Sequence, residues 1–220
     1  MASPRKPYRG IGMEGMLATW YAKNTGKSLA EFRTLAKRIA QELPAGASLL
    51  EIAPGPGYLA IELARSGSYC VAGLDISHSF VRIARENAAH AGVSVDFRHG
   101  DAAALPFADG QFDFVVCRAA FKNFSDPVGA LSEMHRVLRP GGTALIIDMR
   151  NNASDAAIER TVAGMHLGRI ESLLTKAIFK HMLRKRAYSK EDLARVLAAT
   201  PFHSGERIEE PLGFELRLRK

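Results

Sequence analysis

The chain has 220 residues, 47% apolar and 24% charged, which suits one globular domain and excludes a disordered chain or two full-sized domains. Thirty Lys and Arg against 23 Asp and Glu leave a formal charge of +7, which favours anionic partners but is spread along the sequence. Two cysteines, Cys70 and Cys117, each inside an apolar run, exclude a disulfide scaffold and argue against a cysteine-based metal site, and no run of about 18 apolar residues is there to span a membrane. Residues 1–7 lack the apolar core of a secretion signal, so a cytoplasmic location is expected.

Proline and glycine at positions 4, 7, 10 and 12 make the first dozen residues a loose arm. The spacing of Met16, Leu17, Trp20 and Tyr21 predicts a helix over 14–23. A second helix is predicted over 28–43, with Leu29, Phe32, Leu35, Ala36 and Ile39 as its stripe, Ser28 as cap and Glu31 as the capping-box partner. The period then changes. A short apolar strand over 48–53 runs into a Gly/Pro loop, followed by a helix over 58–65, a strand over 68–74 that stops at Asp75, and a helix over 77–91. Val93, Val95 and Phe97 alternate as a strand over 93–99. An apolar strand over 112–117, a helix over 128–138 stopped by Arg139-Pro140-Gly141-Gly142, and an apolar strand over 143–149 complete the series.

Strands alternating with helices across short loops predict a parallel sheet covered on both faces. Residues 151–185 break this rhythm and read as a helical insertion. A helix over 189–199 is capped by Ser189 with Asp192 in the box position. Phe214, Leu216 and Leu218 then alternate with charged residues, as in an antiparallel edge pair.

The most informative segment is Glu51-Ile-Ala-Pro-Gly55-Pro-Gly57, between the first strand and its helix. Two glycines allow a sharp turn and close approach of a ligand. Asp75, 20 residues beyond Gly55, is placed to accept hydrogen bonds from the two hydroxyls of a ribose. Gly55, Gly57 and Ala60 also satisfy the dinucleotide pattern G-x-G-x-x-A, so a nucleotide with a diphosphate is a competing ligand. Diphosphate needs backbone N–H donors, which Pro54 and Pro56 lack, and Glu51 adds negative charge beside it. A ligand with a ribose, a cationic group and no phosphate, such as S-adenosylmethionine, suits the loop better. His99-Gly100-Asp101-Ala102 ends the third strand, where a carboxylate beside a backbone N–H reads an adenine edge, the alternative for Asp101 being a cap or turn residue. Glu51, Asp75 and Asp101 thus fall at three successive strand ends, where open α/β sheets bind ligands.

With these motifs in view, the chain resembles the class I S-adenosylmethionine-dependent methyltransferases, in particular the small-molecule branch that includes the ubiquinone/menaquinone C-methyltransferases. The matching text is LLEIAPGPGYLAIELA, VAGLDIS, FRHGDAAALPFADGQFDFVVCRAAFKNFSDP and EMHRVLRPGGTALIIDM, roughly residues 48–149. The resemblance implies an α/β, Rossmann-like, seven-stranded mostly parallel sheet with an antiparallel last strand and helices on both faces. It implies a single domain: an N-terminal helical lid (1–45), a cofactor-binding core (46–150), a helical cap over the substrate (151–188), and a last helix and strands (189–220). It also implies that the loop from Glu51 through Ala53, Gly55 and Gly57 follows the methionine and ribose, that Asp75 holds the ribose hydroxyls, and that Ile76 packs on adenine. Gly100, Asp101 and Ala102 would read the adenine edge, and the backbone of Arg118 would face the methionine end. Tyr21 is a candidate for the methionine carboxylate or sulfonium region, with core packing as its other reading. Two departures stand out: Ala53 replaces the usual glycine before the proline, and Lys122-Asn123 stand where relatives often carry paired histidines.

No catalytic base is assigned. His166 and His181 in the insertion and Tyr8 and Glu14 in the arm are candidates, each also readable as a surface or packing residue. Asp148 closes the fifth strand near where metal-using relatives place ligands, but nothing completes a metal set. The cations Lys176, Lys180, Arg184, Lys185 and Arg186 read as a solvated helix face rather than a nucleic-acid site. The expected activity is methyl transfer to a small-molecule acceptor; an RNA or protein methyltransferase, and a non-methylating nucleotide binder or nicotinamide oxidoreductase, are the alternatives. A homodimer is left open.

Overall fold

The computed structural model describes residues 8–9, 12–26, 29–165 and 167–220. The expected cap at Ser28 and the candidate His166 lie outside them. The order is α1 (Gly15–Thr25), α2 (Leu29–Ala40), β1 (Ser48–Ile52), α3 (Tyr58–Ser66), β2 (Cys70–Asp75), α4 (His78–Ala91), β3 (Asp96–His99), β4 (Phe112–Arg118), α5 (Pro127–Val137) and β5 (Leu138–Met149). There follow α6 (Asp155–Gly164), α7 (Arg169–Ile178), a π-helical turn (Phe179–Leu183), α8 (Arg184–Arg186), α9 (Lys190–Ala198), β6 (Glu206–Glu209) and β7 (Gly213–Arg219).

The seven strands form one sheet in the order β3-β2-β1-β4-β5-β7-β6. The first five run parallel, and β7 is antiparallel to both β5 and β6. This is the expected architecture, and the strand sequences explain it. Along β4, Phe112, Val115 and Cys117 face one helical layer while Phe114 and Val116 face the other, and all five are buried. A strand buried on both faces needs such a continuous apolar run. One layer is α2, α3 and α4, packed through Phe32, Leu35, Ile39, Leu59, Leu63 and Val81. The other is α5 and α9, packed through Leu131, Met134, Leu193 and Leu197.

Local chemistry sets the helix ends. Ser77 caps α4 by accepting from the Phe80 N–H, and Asp126 caps α5 from the Gly129 N–H, ahead of Pro127 in the first turn. Ser189 and Asp192 form the expected capping box on α9. Two strand boundaries differ from expectation. β3 begins at Asp96, because Val93 and Val95 are only partly covered at the sheet edge. β5 begins at Leu138, not after the Pro-Gly-Gly segment: Leu138 pairs with Phe112 across a register shift, and Arg139 reaches Asp113 at 2.6 Å. A bulge absorbs Pro140 and Gly141, which the sequence read as a stop. Ion pairs from Arg38 to Glu215 and from Arg217 to Glu42 tie α2 and the turn after it to β7.

Candidate functional site

The carboxyl ends of the parallel strands β1, β2, β3 and β4 lie along one edge of the sheet, where open α/β sheets form a ligand crevice, and hydrogen bonds join the loops there. Asp75, at the tip of β2 and 5% exposed, accepts from the Gly55 N–H with one oxygen and from the Ser77 N–H with the other, both at 2.9 Å. Its backbone carbonyl accepts from the Gly100 N–H at 3.0 Å. Ala53 donates to the Leu74 carbonyl at 2.8 Å, and the His99 ring lies 3.0 Å from the Ile76 carbonyl. The loop after β1 is therefore locked to the tip of β2, and the tip of β2 to that of β3. Glu51, Ala53, Gly55, Gly57, Asp75, Ile76 and Gly100 are brought together, as expected from sequence.

The loop after β1 is a series of left-handed residues: φ is +56° at Ala53, +55° at Gly55 and +82° at Gly57. Glycine occupies this region freely, whereas alanine pays about 1 kcal/mol or more. Ala53 thus accepts the strain that a glycine would avoid. At Gly57 no side chain is tolerated, since a Cβ would lie 2.7 Å from the Phe97 ring and 2.9 Å from Ala84. The donors of this turn are already engaged. Gly55 donates to Asp75 and Gly57 to the Pro54 carbonyl, while Pro54 and Pro56 have no N–H. Nothing in residues 54–57 is left to cradle a diphosphate.

Two carboxylates here are displaced from their ordinary acidity. Burial pushes Glu51 from 4.5 up to about 8, against the opposing pull of the Ala60 N–H, which it accepts at 2.8 Å, and of Arg118. Burial likewise raises Asp75, although the N–H groups of Ser77 and Gly55 oppose it. Asp101 accepts from the Ala103 N–H at 3.0 Å, so it is a turn residue, with Ala102 buried beside it. Arg118 leaves the crevice with its side chain, which pairs with Glu31 at 3.0 Å and covers the Phe32 ring at 4.7 Å. Tyr21, on α1, packs edge-on against Phe80 with ring centroids 5.7 Å apart and stays 37% exposed. The packing reading of Tyr21 is thus met in part, on the ring edge that meets Phe80.

The candidate bases sort by geometry. Glu14 accepts from the N–H groups of His78 and Ser79, both at 3.0 Å, and so serves the start of α4. Tyr8 is held by a bridge to Phe124, next to the Arg9 N–H bond to the Asn123 carbonyl. Burial and the charge of Asp75 push its hydroxyl up to about 12, so it is a donor and not a base. His181 is exposed on the π-helical turn. Among the described residues, no three metal-ligating side chains come together.

The sequence reading missed the floor of the crevice. Lys122 is 4% exposed, and its Nζ donates to Asp148 at 2.8 Å and to the Ala119 carbonyl at 2.6 Å. Asp148, closing β5, also accepts from the N–H groups of Lys122 and Met149. Asn123 beside them is buried, and its side-chain oxygen has no partner. The signal was there, a Lys-Asn pair inside Phe121-Lys-Asn-Phe124, but isolated lysines are rarely buried and the partner lies 26 residues away.

Comparison with known proteins agrees with this architecture. A family profile described as a methyltransferase domain matches residues 50–146. The demethylmenaquinone methyltransferase of Thermus thermophilus is 42% identical over 101 residues, 46% of this chain and 46% of that protein. The demethylmenaquinone methyltransferase of Mycobacterium marinum is 33% identical over 167 residues, 75% of this chain and 68% of that protein. The chain spans about half the length of the first curated relatives it matches. Among solved structures, one from Methanococcus maripaludis, assigned to the S-adenosyl-L-methionine-dependent methyltransferases, superposes with a TM-score of 0.77 at 24% identity, covering 100% of this chain and 97% of that one. That likeness shows the fold.

Proposed function

Because this chain belongs to the S-adenosylmethionine-dependent methyltransferases, we propose that it transfers a methyl group from that cofactor to a small-molecule acceptor. The observation that carries this reading is the turn at residues 54–57, whose amides are absent or engaged, set between two buried carboxylates. Such a site suits a ribose and a positive sulfur, and opposes a diphosphate.

The cofactor supplies an electrophilic methyl carbon on a cationic sulfur; the chain aligns the partners and excludes water. Asp75 is positioned for the ribose hydroxyls, since each of its oxygens keeps a second lone pair beyond the bond it already accepts. Ile76 offers an apolar surface to adenine, and Gly100, Asp101 and Ala102 border its edge. The Glu51–Gly57 loop and the backbone at Arg118 border the methionine end, with Tyr21 above. Glu51 becomes an anion when a cation is seated beside it. Helix α1 and the segment α6–α8 form the lid and cap, whereas α2, expected to share in the lid, packs on the face of the sheet. Names of relatives make a quinol-like ring the first acceptor to assay. Asn123, with its buried unpartnered oxygen, is suited to accept from a hydroxyl on such a ring.

Calorimetric titration tests this. S-adenosylmethionine should bind in the micromolar range, and Asp75→Ala should abolish the heat while the circular dichroism spectrum is kept. No heat with the wild-type chain, or displacement of the cofactor by NADH, would refute the reading.

A further inference from the structure

Helix α7 is placed the wrong way round for a core helix. It is held through the segment that follows it: Lys180, on the π-helical turn, reaches Asp155 at 2.9 Å and Glu159 at 3.4 Å on α6, Arg184 on α8 reaches Asp155 at 2.7 Å, and Phe179 and Leu183 pack against the cluster of Ile158 and Val162. Its apolar side faces out, with Leu173 71% exposed, Leu174 60% and Ile178 42%. A soluble helix does the reverse, because leaving such side chains in water forfeits the gain of burying them. Exposed cations bound this strip, Arg169 at its start and Lys185 just beyond the π-helical turn. Lys185 and Arg186 also line, with Arg9, Arg195 and Asp192, an open groove of about 460 Å³. A second apolar strip lies on α1, where Met16 is 89% and Trp20 57% exposed. α1 is anchored over the start of α4 and α6–α8 follow β5, so both strips rim the carboxyl edge of the sheet, where the crevice opens.

We propose that this rim is a docking surface for an anionic lipid bilayer, with Leu173, Leu174 and Ile178 entering the interface and Arg169, Lys185 and Arg186 meeting the headgroups. Charge decides between occupants. A second copy laid on the same face would bring like cations together, which is unfavourable, while an anionic surface complements them and the chain's charge of +7. An amphipathic helix with cations bordering apolar side chains binds in the plane of the interface. Trp20 suits the same boundary, since an indole places an apolar body beside a polar N–H. The contact is peripheral: no described helix is long and apolar enough to cross a membrane. It does not depend on which acceptor is methylated.

Co-sedimentation of the full chain with vesicles tests the surface. With equal parts phosphatidylglycerol and phosphatidylcholine at about 50 mM salt, the chain should pellet, and at about 500 mM salt much of it should be released. Phosphatidylcholine alone should retain at least about tenfold less. The double variant Leu173→Glu/Leu174→Glu should lose at least about tenfold in partitioning, and Lys185→Glu/Arg186→Glu a similar amount, with unchanged circular dichroism and melting temperature. Wild-type chain left in the supernatant at low salt would overturn the proposal. So would retention equal to wild type in the leucine variant, which means adsorption by charge alone. A dimer in light scattering that the leucine variant splits would assign the face to a second copy and also overturn it.

Discussion

Replacing Glu51 by Gln removes a charge while keeping shape and an acceptor for the Ala60 N–H. In the folded chain the carboxyl holds its proton up to about pH 8, whereas in the unfolded chain it releases it near 4.5. Between these values the native state binds more protons than the unfolded state, so stability falls as pH rises through that window. Each pH unit is worth about 1.36 kcal/mol, so the burial costs about 3 kcal/mol at pH 7 and about 5 kcal/mol above pH 8.5. The amide escapes this titration. It carries two donors where the neutral acid has one, which subtracts about 1–2 kcal/mol at every pH. The difference between the two stability curves should therefore be near zero or slightly negative at pH 4.5. It should grow by about 5 kcal/mol toward pH 8.5, or roughly 10–20 °C in melting temperature. Urea unfolding of both proteins at five pH values measures it. A difference that stays flat within about 1 kcal/mol would show that Glu51 is ionised throughout, and would refute the reasoning. Cofactor binding supplies the complementary signal, since a sulfonium beside Glu51 should draw out its proton. Wild-type affinity should rise between pH 5 and pH 8, and that slope should vanish in the variant.

Gly57→Ala should cost about 2–4 kcal/mol by chemical denaturation, because the new Cβ meets Phe97 and Ala84 at a left-handed residue; a loss below about 1 kcal/mol would mean the loop relocates freely. Lys122→Met strands Asp148 without its partner and should cost about 3–5 kcal/mol, whereas pairing it with Asp148→Asn, which is neutral and still offers an oxygen to the backbone N–H groups at this site, should recover part of the loss. Failure of the double variant to recover would locate the cost in packing rather than in the lost charge pair.

The parallel core was legible because its signals are local. Periodicity, the Gly/Pro turn and an acid at each strand tip lie within a few residues of one another, and a parallel sheet covered on both faces follows from alternation and short loops. The loop's preference against diphosphate was legible for Pro54 and Pro56, but not for the internal bonds of Gly55 and Gly57, which need the folded turn. What escaped was set by distant partners. Lys122 is buried because Asp148 arrives from another strand. The side chain of Arg118 turns away because Glu31 and Phe32 stand below it. The cations of α7 and α8 read as one solvated face, yet Lys180 and Arg184 turn inward to α6 while leucines take the outside. The start of β5 was hidden behind a Pro-Gly-Gly segment that a bulge accommodates.

The strap at Tyr8 and Arg9 has a kinetic consequence. It is fastened at Asn123 and Phe124, and Tyr8 is within electrostatic reach of Asp75, Tyr21, Arg186 and Asp148. A ligand seated between Asp75 and Asp148 that left on this side would have to open it. The opening frequency of the Arg9 to Asn123 backbone hydrogen bond, rather than the strength of the grip below it, would then set residence time, and departure would be the slow step of a catalytic cycle.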